Sequence, residues 1–398
     1  MKSVLISGSS VAGPALALWL RRAGWQVTVI EKAPAPRPGG YKVDLRGVAV
    51  RVVDLMGVGR AVRERATAIR GGQWMSEKGK SIVTLGPDLI GFRDPGDLEI
   101  LRGDLAEIVR AQTHGTEYIY GDVITAMHED ATGVHVDFGR HPSRRFDVVI
   151  GADGLHSGVR ALAFGPEERF SRPIGLSVAV FDAPNHLGYD RWEVSCSTPG
   201  RVAAAYGLSP SAPLTVQLFF SSPEVSLARA GRDEQERAVR AAFAGQGWET
   251  PRLLQAMPSS ADLYYDDLAQ IEMDAWSRGR TALVGDAAYC PSPASGQGTG
   301  LALVGAYVLA GELATAPDHV TAFANYEKVM REYVAMNQKL GRDIAGKLVP
   351  STAFGAFLGR LMMRYVRIMP FKKAMMEPIM KPIRAASNGI DLPGYPIA

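Results

Sequence analysis

Residues 3–31 limit the fold more than any other stretch. Ser3–Ser7 is a short apolar run that reads as a strand. Gly8-Ser9-Ser10-Val11-Ala12-Gly13 then turns the chain into a helix over 14–23. Pro14 suits the first helical turn, where its missing N–H has no partner to lose, and Gly24 ends the helix. Gln26–Glu31 is a second strand, closed by Glu31 and followed by Lys32. A strand–helix–strand unit of about 30 residues, with an acid about 20 residues after the first glycine, is the fingerprint of a dinucleotide site on a parallel sheet. Gly8 permits the tight turn, and Gly13 lets helix and strand approach. The helix start at Ser10–Ala12 faces a pyrophosphate, and Glu31 is placed for ribose hydroxyls. Ser10 stands where the pattern usually has its second glycine.

Two further stretches extend the same site. Residues 279–303 contain an apolar strand over 281–284, then Gly285 and Asp286, then a loop with Pro291, Pro293, Gly296, Gly298 and Gly300. Glycines there let backbone come close to a ligand. A small-residue helix follows, over 301–313. Its start offers bare amides and a partial positive charge to an electron-rich ring edge over Gly296, Gly298 and Thr299. Asp286 can accept a hydroxyl hydrogen bond. Residues 146–160 repeat the pattern: an apolar strand, then Gly151 and Gly154 around Asp153, with Ser157 placed to cap a helix that carries Arg160. Arg102, just before a helix that begins Gly-Asp-Leu, is placed for a flavin or phosphate. Together these stretches imply one extended ligand across the ends of a parallel sheet.

The region between the second and third stretches differs. Residues 171–222 carry short alternating apolar runs without helical period, which predicts an inserted antiparallel sheet. Phe181, Trp192, Tyr206, Phe219 and Phe220 alternate along it, and at least one is expected to face a ring-shaped ligand. A charged amphipathic helix is expected over 228–245 and a strand over 262–274. Helices follow residue 313. Near the C-terminus Phe354, Phe357, Leu358, Leu361, Tyr365 and Ile368 share one helical face, with Arg360, Arg364 and Arg367 on another. Prolines 370 and 378 are expected to break that tail, which favours a docked helix with a solvated basic stripe over a membrane-surface helix.

Forty-four basic and 41 acidic residues leave a net charge of +3, which argues against nucleic acid as a partner. Two cysteines make no disulfide framework or metal site, so a cytoplasmic location is expected. No signal peptide is read at the N-terminus, and no apolar run approaches the roughly 20 residues of a bilayer span.

These motifs, in this order and spacing, resemble the flavin-dependent monooxygenases similar to para-hydroxybenzoate hydroxylase and the tetracycline-inactivating monooxygenases. The resemblance covers about the first 340 residues. It implies an α/β fold: a Rossmann-like FAD-binding domain over 1–170 and 276–340, an inserted antiparallel-sheet substrate domain over 171–275, and a helical segment over 341–398. It implies FAD held by Gly8, Ser10, Ala12, Gly13, Glu31, Lys32, Arg102, Asp153, Gly285, Asp286, Pro293, Gly296, Gly298 and Thr299, with no metal. It implies NAD(P)H as a transient co-substrate and O2 activated as a flavin C4a-hydroperoxide that hydroxylates an aromatic or polycyclic small molecule. A monomer or homodimer is expected. Tyr289 stands where many relatives have histidine. No catalytic base is assigned; Tyr206, Tyr264 and His186 are candidates. An FAD-dependent oxidase or dehydrogenase, or a protein that retains FAD and sequesters a ligand, are the alternatives. The Trp-x-Trp-x-Ile-Pro pattern of flavin halogenases is absent.

Overall fold

The computed structural model describes residues 1–36, 39–87, 89–223, 225–352, 354–359, 361 and 372–397. Its central sheet has the order β18-β11-β1-β2-β7. The strands are β1 (Ser3–Ser7), β2 (Gln26–Glu31), β7 (Glu117–Tyr120), β11 (Val148–Gly151) and β18 (Thr281–Leu283), all parallel. The short β17 (Ser277–Arg278) adds antiparallel at the β18 edge. Val4, Leu5 and Ile6 are fully buried, as expected of a parallel strand covered on both faces. Helix α1 (Ala12–Arg22) packs on α9 (Gly298–Thr315), which in turn meets α2 (Val48–Leu55) and α10 (His319–Leu348). Helix α3 (Gly59–Glu64) touches α4 (Arg102–Arg110), and α4 touches α1. Helix α5 (Gly158–Phe164) lies against β11, β18 and the three-stranded sheet of β8 (Ile124–Glu129), β9 (Val134–Phe138) and β10 (Arg144–Phe146).

Helix α9 amends one expectation. At 18 residues, with Glu312 its one charge, it is long and apolar enough to cross a bilayer by length and composition. It is apolar on all sides because all sides are covered: 78% of it is buried, as in a central core helix.

The second sheet has seven strands, ordered β16-β12-β15-β14-β13-β4-β5. Five come from the inserted region: β12 (Ser171–Ala183), β13 (Trp192–Thr198), β14 (Arg201–Gly207), β15 (Leu214–Ser221) and β16 (Leu263–Ile271). The other two, β4 (Gly71–Met75) and β5 (Ser81–Leu85), come from upstream, and β4 pairs with β13 in parallel. The sheet is therefore antiparallel except at one junction. Alternation gives it two apolar faces. Ala179, Phe181, Val216, Leu218, Phe220 and Tyr265 pack under α6 (Arg232–Ala242) and α7 (Thr250–Ala256). Val178, Val180, Val202, Phe219, Tyr264 and Leu268 point the other way, toward Ala294 and the end of α10. A two-stranded ribbon, β3 (Lys42–Leu45) with β6 (Leu98–Leu101), stands between the two sheets.

The C-terminal helix, Lys372–Ser387, corrects another expectation. Pro378 and Pro382 lie inside it. A proline in a helix interior costs about 3 kcal/mol; docking offsets it. Ile383 and Ala386 pack on Leu340, Asn337 Nδ2 donates to the Ala386 carbonyl, and Arg384 pairs with both oxygens of Asp94. Pro370, the basic stripe of Arg360, Arg364 and Arg367, and Tyr365 and Ile368 of the apolar face lie outside the described residues. Phe354, Phe357 and Leu358 are exposed.

Candidate active site

The three glycine stretches converge at one end of the central sheet. Gly8 has a positive φ, and a Cβ there would stand 2.3 Å from the Ala152 carbonyl oxygen; one on Gly13 would stand 1.9 Å from the Gly8 oxygen. So the first turn fits only with glycine at both positions. Gly285, also at positive φ, would place a Cβ 3.4 Å from Ala12 and 3.5 Å from Ala302, joining the third stretch to the first. Ser10 is exposed at the mouth of the turn and Lys32 is exposed beyond β2. Glu31 Oε2 accepts from the Ser9 amide at 2.9 Å, and its Oε1 from the Ala33 amide at 2.9 Å.

Asp153 is turned inward. Its carboxylate accepts from the hydroxyls of Ser157 and Ser7 and from the Val159 amide at 3.1 Å. Burial pushes the group upward in pKa and those donors pull against it. Ser157 caps α5 by accepting from the Arg160 amide. Arg160, fully buried, then ties this turn to the third stretch: it donates to the carbonyls of Leu155 at 2.6 Å and Ala287 at 3.0 Å, and to Glu167.

Asp286 opens the short helix α8 (Asp286–Tyr289), directly after Gly285. Burial raises its carboxyl; the Cys290 thiol, as hydrogen-bond partner, and the charge of Arg102 oppose that. Arg102 lies over the Tyr41 ring, 5.2 Å from its centroid. The following loop is built from within. Ser292 holds a positive φ and accepts from the Ala294 amide, and the Ser295 hydroxyl accepts from the Gln297 amide. Pro293 and Gly296 are exposed on the open side, and Gly298 and Thr299 are partly exposed. Gln297, at the start of α9, is buried and offers that helix no side-chain cap.

The ribbon strand β3 carries charged residues that motif reading missed. Lys42 pairs with Glu99 at 3.1 Å and with Glu193 on the inserted sheet, and Arg93 and Arg46 both pair with Asp44. Burial pulls Lys42 down, but Glu193 and Glu99 outweigh it and hold the ammonium above its ordinary value. Asp44 faces the glycine loop: a Cβ on Gly296 would be 3.8 Å from its Oδ2. The polar–apolar alternation of Lys-Val-Asp-Leu-Arg signals one polar face. Nothing in the sequence says that Glu99, Glu193 and Arg93 close over this face. Tyr289 is buried in the core, its hydroxyl 2.8 Å from that of Tyr326, and takes no part in the cleft wall.

A family model described as an FAD binding domain matches residues 1–319. The chain belongs to the FAD binding domain family. A flavin-dependent monooxygenase of Legionella longbeachae serogroup 1 (strain NSW150) is 35% identical over 395 residues, 98% of each chain. An uncharacterised protein of Mycobacterium tuberculosis (strain ATCC 25618 / H37Rv) is 42% identical over 347 residues, 86% of this chain and 93% of its own. Among solved structures, the tetracycline destructase Tet(55) superposes with a TM-score of 0.86 at 33% identity, covering 99% of both chains. This FAD binding domain chain is a flavin-dependent monooxygenase with FAD as cofactor.

The residues of this FAD binding domain suit the flavin. Gln297 Nε2 is buried without a hydrogen-bond partner beside the uncapped first amides of α9. Those donors match the carbonyl edge of an isoalloxazine. Asp286 holds a carboxylate in a poorly solvated place, which suits a ligand hydroxyl. At Gly8 and Gly13 the turn's own backbone leaves no room for a Cβ, and Gly285 is held at a positive φ, so the three stretches meet backbone to backbone at this end of the sheet.

Proposed function

We propose that this chain uses NAD(P)H and O2 to hydroxylate an aromatic or polycyclic small molecule. The observation that carries this reading is a juxtaposition. Ala294, in the glycine loop, packs in one apolar cluster with Val180, Val202, Phe219 and Tyr264 of the inserted sheet. An apolar, ring-lined face with a few polar groups fits a ring-shaped ligand. The tetracycline destructase likeness supports the polycyclic end of that range. In this reading residues 171–275 form the substrate domain, and both cysteines, buried as thiols, agree with a cytoplasmic setting.

When bound, FAD would supply the redox chemistry between NAD(P)H and O2. The chain supplies position. Gly8, Ser10, Ala12 and Gly13 bring the α1 amides to the pyrophosphate, and Glu31, beside Lys32, takes the adenosine ribose. Asp286 accepts from the ribityl chain. Arg102, backed by Tyr41, adds positive charge, and Asp153 braces the turn beneath. Gly285, Pro293 and Gly296 shape the space beside the ring. The amides of Gly298 and Thr299, with Gln297, donate to its electron-rich edge, as preorganised donors do.

The test is NADPH consumption against phenols, quinones, polyketides and tetracyclines, with product mass. Ligand-stimulated consumption and a product heavier by one oxygen atom are expected. Stimulation without oxygen incorporation would mean an oxidase or dehydrogenase, and tight ligand binding without consumption a sequestering protein.

Two results should accompany it. FAD is expected to be noncovalent: burial pushes the Cys290 thiol well above its ordinary range, which keeps it unreactive. Acid precipitation should leave the yellow colour in the supernatant. Glu31→Ala should weaken FAD about tenfold and FMN far less, since FMN has no adenosine ribose. Equal loss for both flavins would mean that Glu31 acts only through the Ser9 and Ala33 amides.

A further inference from the structure

A hollow of about 520 Å³ lies on the covered side of the inserted sheet, where α6 turns toward α7. Arg240, Phe243, Gly245, Gln246, Pro251 and Leu254 line it. That volume is in the range of small-molecule sites. Phe243 and Leu254 belong to the apolar cluster beneath α6 and α7, not to the one that holds Phe219 and Ala294. Both are buried, and Phe243 meets Phe220 edge-on at 5.7 Å, so the floor is firm and apolar. Gly245 holds a positive φ, and a Cβ there would meet nothing within 4 Å, so the turn leaves open space.

Two polar groups at this hollow lack partners. Gln246 is 2% exposed. Its Nε2 donates to the Cys196 carbonyl at 3.1 Å, which fixes the amide's orientation, since a reversed amide would set oxygen against oxygen. Oε1 is thereby left buried with no hydrogen-bond partner. A buried acceptor without a donor is costly and calls for an explanation. Arg240, half-buried in the last turn of α6, makes no ion pair or side-chain hydrogen bond among the described residues. It is not needed to close the helix. Arg201 Nη1 does that, donating to the carbonyls of Ala242 at 2.6 Å and Ala244 at 2.9 Å. A free guanidinium is a planar fork of donors that matches a carboxylate.

We propose that this hollow binds a flat organic anion that also carries an N–H or O–H donor. The carboxylate pairs with Arg240, the ring lies on Phe243, Leu254 and Pro251, and the donor reaches Gln246 Oε1. Binding involves no covalent step. The site is separate from the flavin cleft, and the inference goes beyond the hydroxylase reading without depending on it.

The probe is indole-3-acetate, which has a carboxylate, a flat ring and one N–H. Calorimetric titration into the FAD-loaded enzyme, with flavin absorbance recorded alongside, should show one saturable site and an unchanged flavin spectrum. Indole-3-ethanol, without the carboxylate, should bind about tenfold more weakly, and naphthalene-1-acetate, without the N–H, about fivefold more weakly. Arg240→Gln should lose about tenfold in affinity for indole-3-acetate and little for the alcohol. Gln246→Met should erase the difference between the indole and naphthalene acids. Flavin content and melting temperature identify a variant that has not folded. Should Gln246→Met be one, the three probes on wild type and Arg240→Gln still decide. The proposal is overturned if Arg240→Gln binds indole-3-acetate as tightly as wild type does, or if wild type shows no saturable binding at millimolar probe. It is also overturned if binding shifts the flavin spectrum, because the probe would then occupy the flavin cleft. The hydroxylase reading fails by a separate result, the absence of ligand-stimulated NADPH consumption.

Discussion

Asp286→Ala is expected to weaken FAD binding by about one to two orders of magnitude, with little effect on the protein without flavin. A hydrogen bond to a charged group is worth roughly 1.5–3 kcal/mol, and each 1.4 kcal/mol is about tenfold in affinity. The side chain gives little to the flavin-free fold, because burial raises its carboxyl and so penalises the ionised form. The sign follows from linkage. A carboxyl raised on folding opposes folding above its unfolded pKa, and that penalty fades as pH falls through the folded value. The flavin-free variant should therefore be at least as stable as wild type at neutral pH. A ribityl hydroxyl donating to Asp286 favours the ionised form, so this part of the FAD affinity should fade on acidification. Ser10→Gly, at the exposed mouth of the first turn, should be neutral or slightly favourable to binding. Flavin titration at two pH values, with melting temperatures with and without FAD, checks all of this. Ser10→Gly losing more affinity than Asp286→Ala would overturn the placement of the two stretches.

The features legible in the sequence are those that backbone geometry dictates locally. Gly8, Gly13 and Gly285 each occupy a place where a Cβ would collide or strain, and glycine spacing records such constraints directly. The α9 start and the Ser157 cap are local in the same sense. Alternation in 171–222 announced the sheet, because a half-covered strand must alternate. What escaped depends on distant partners. Arg160 reads as a helix-surface arginine until Ala287, 127 residues away, closes over it. The charges of Lys42, Asp44 and Arg46 read as a solvated strand face, yet Glu193, Glu99 and Arg93 bury and neutralise them. The place of β4 and β5 in the second sheet rests on pairing with β13 across more than a hundred residues, which no local pattern records. Pro378 looked like a helix end because the local cost was legible and the docking that offsets it was not.

Adjacent phenylalanines on β15 provide the strongest test of which sheet face reads the substrate. Phe219 and Phe220 point to opposite sides because strand side chains alternate. Phe220 is buried beneath α6, its ring 5.7 Å from that of Phe243 and 6.1 Å from that of Tyr265. Phe220→Ala should cost about 3–5 kcal/mol of stability, the range for deleting a buried phenylalanine. Phe181→Ala, on the same covered face, should act alike. Phe219 is half-buried on the cleft face beside Val180 and Ala294. Phe219→Ala should change stability far less and lower ligand-stimulated NADPH consumption about tenfold at limiting ligand. Trp192 packs with the covered cluster, and Tyr206 is spent on Lys42, so both should behave as structural residues. The measurements are thermal unfolding, flavin content, and NADPH consumption with and without the best ligand from the screen. The cleft-face assignment is wrong if Phe219→Ala keeps wild-type stimulation while a substitution at Ala294 or Gln297 changes the preferred ligand, because the glycine loop would then be the surface that reads it.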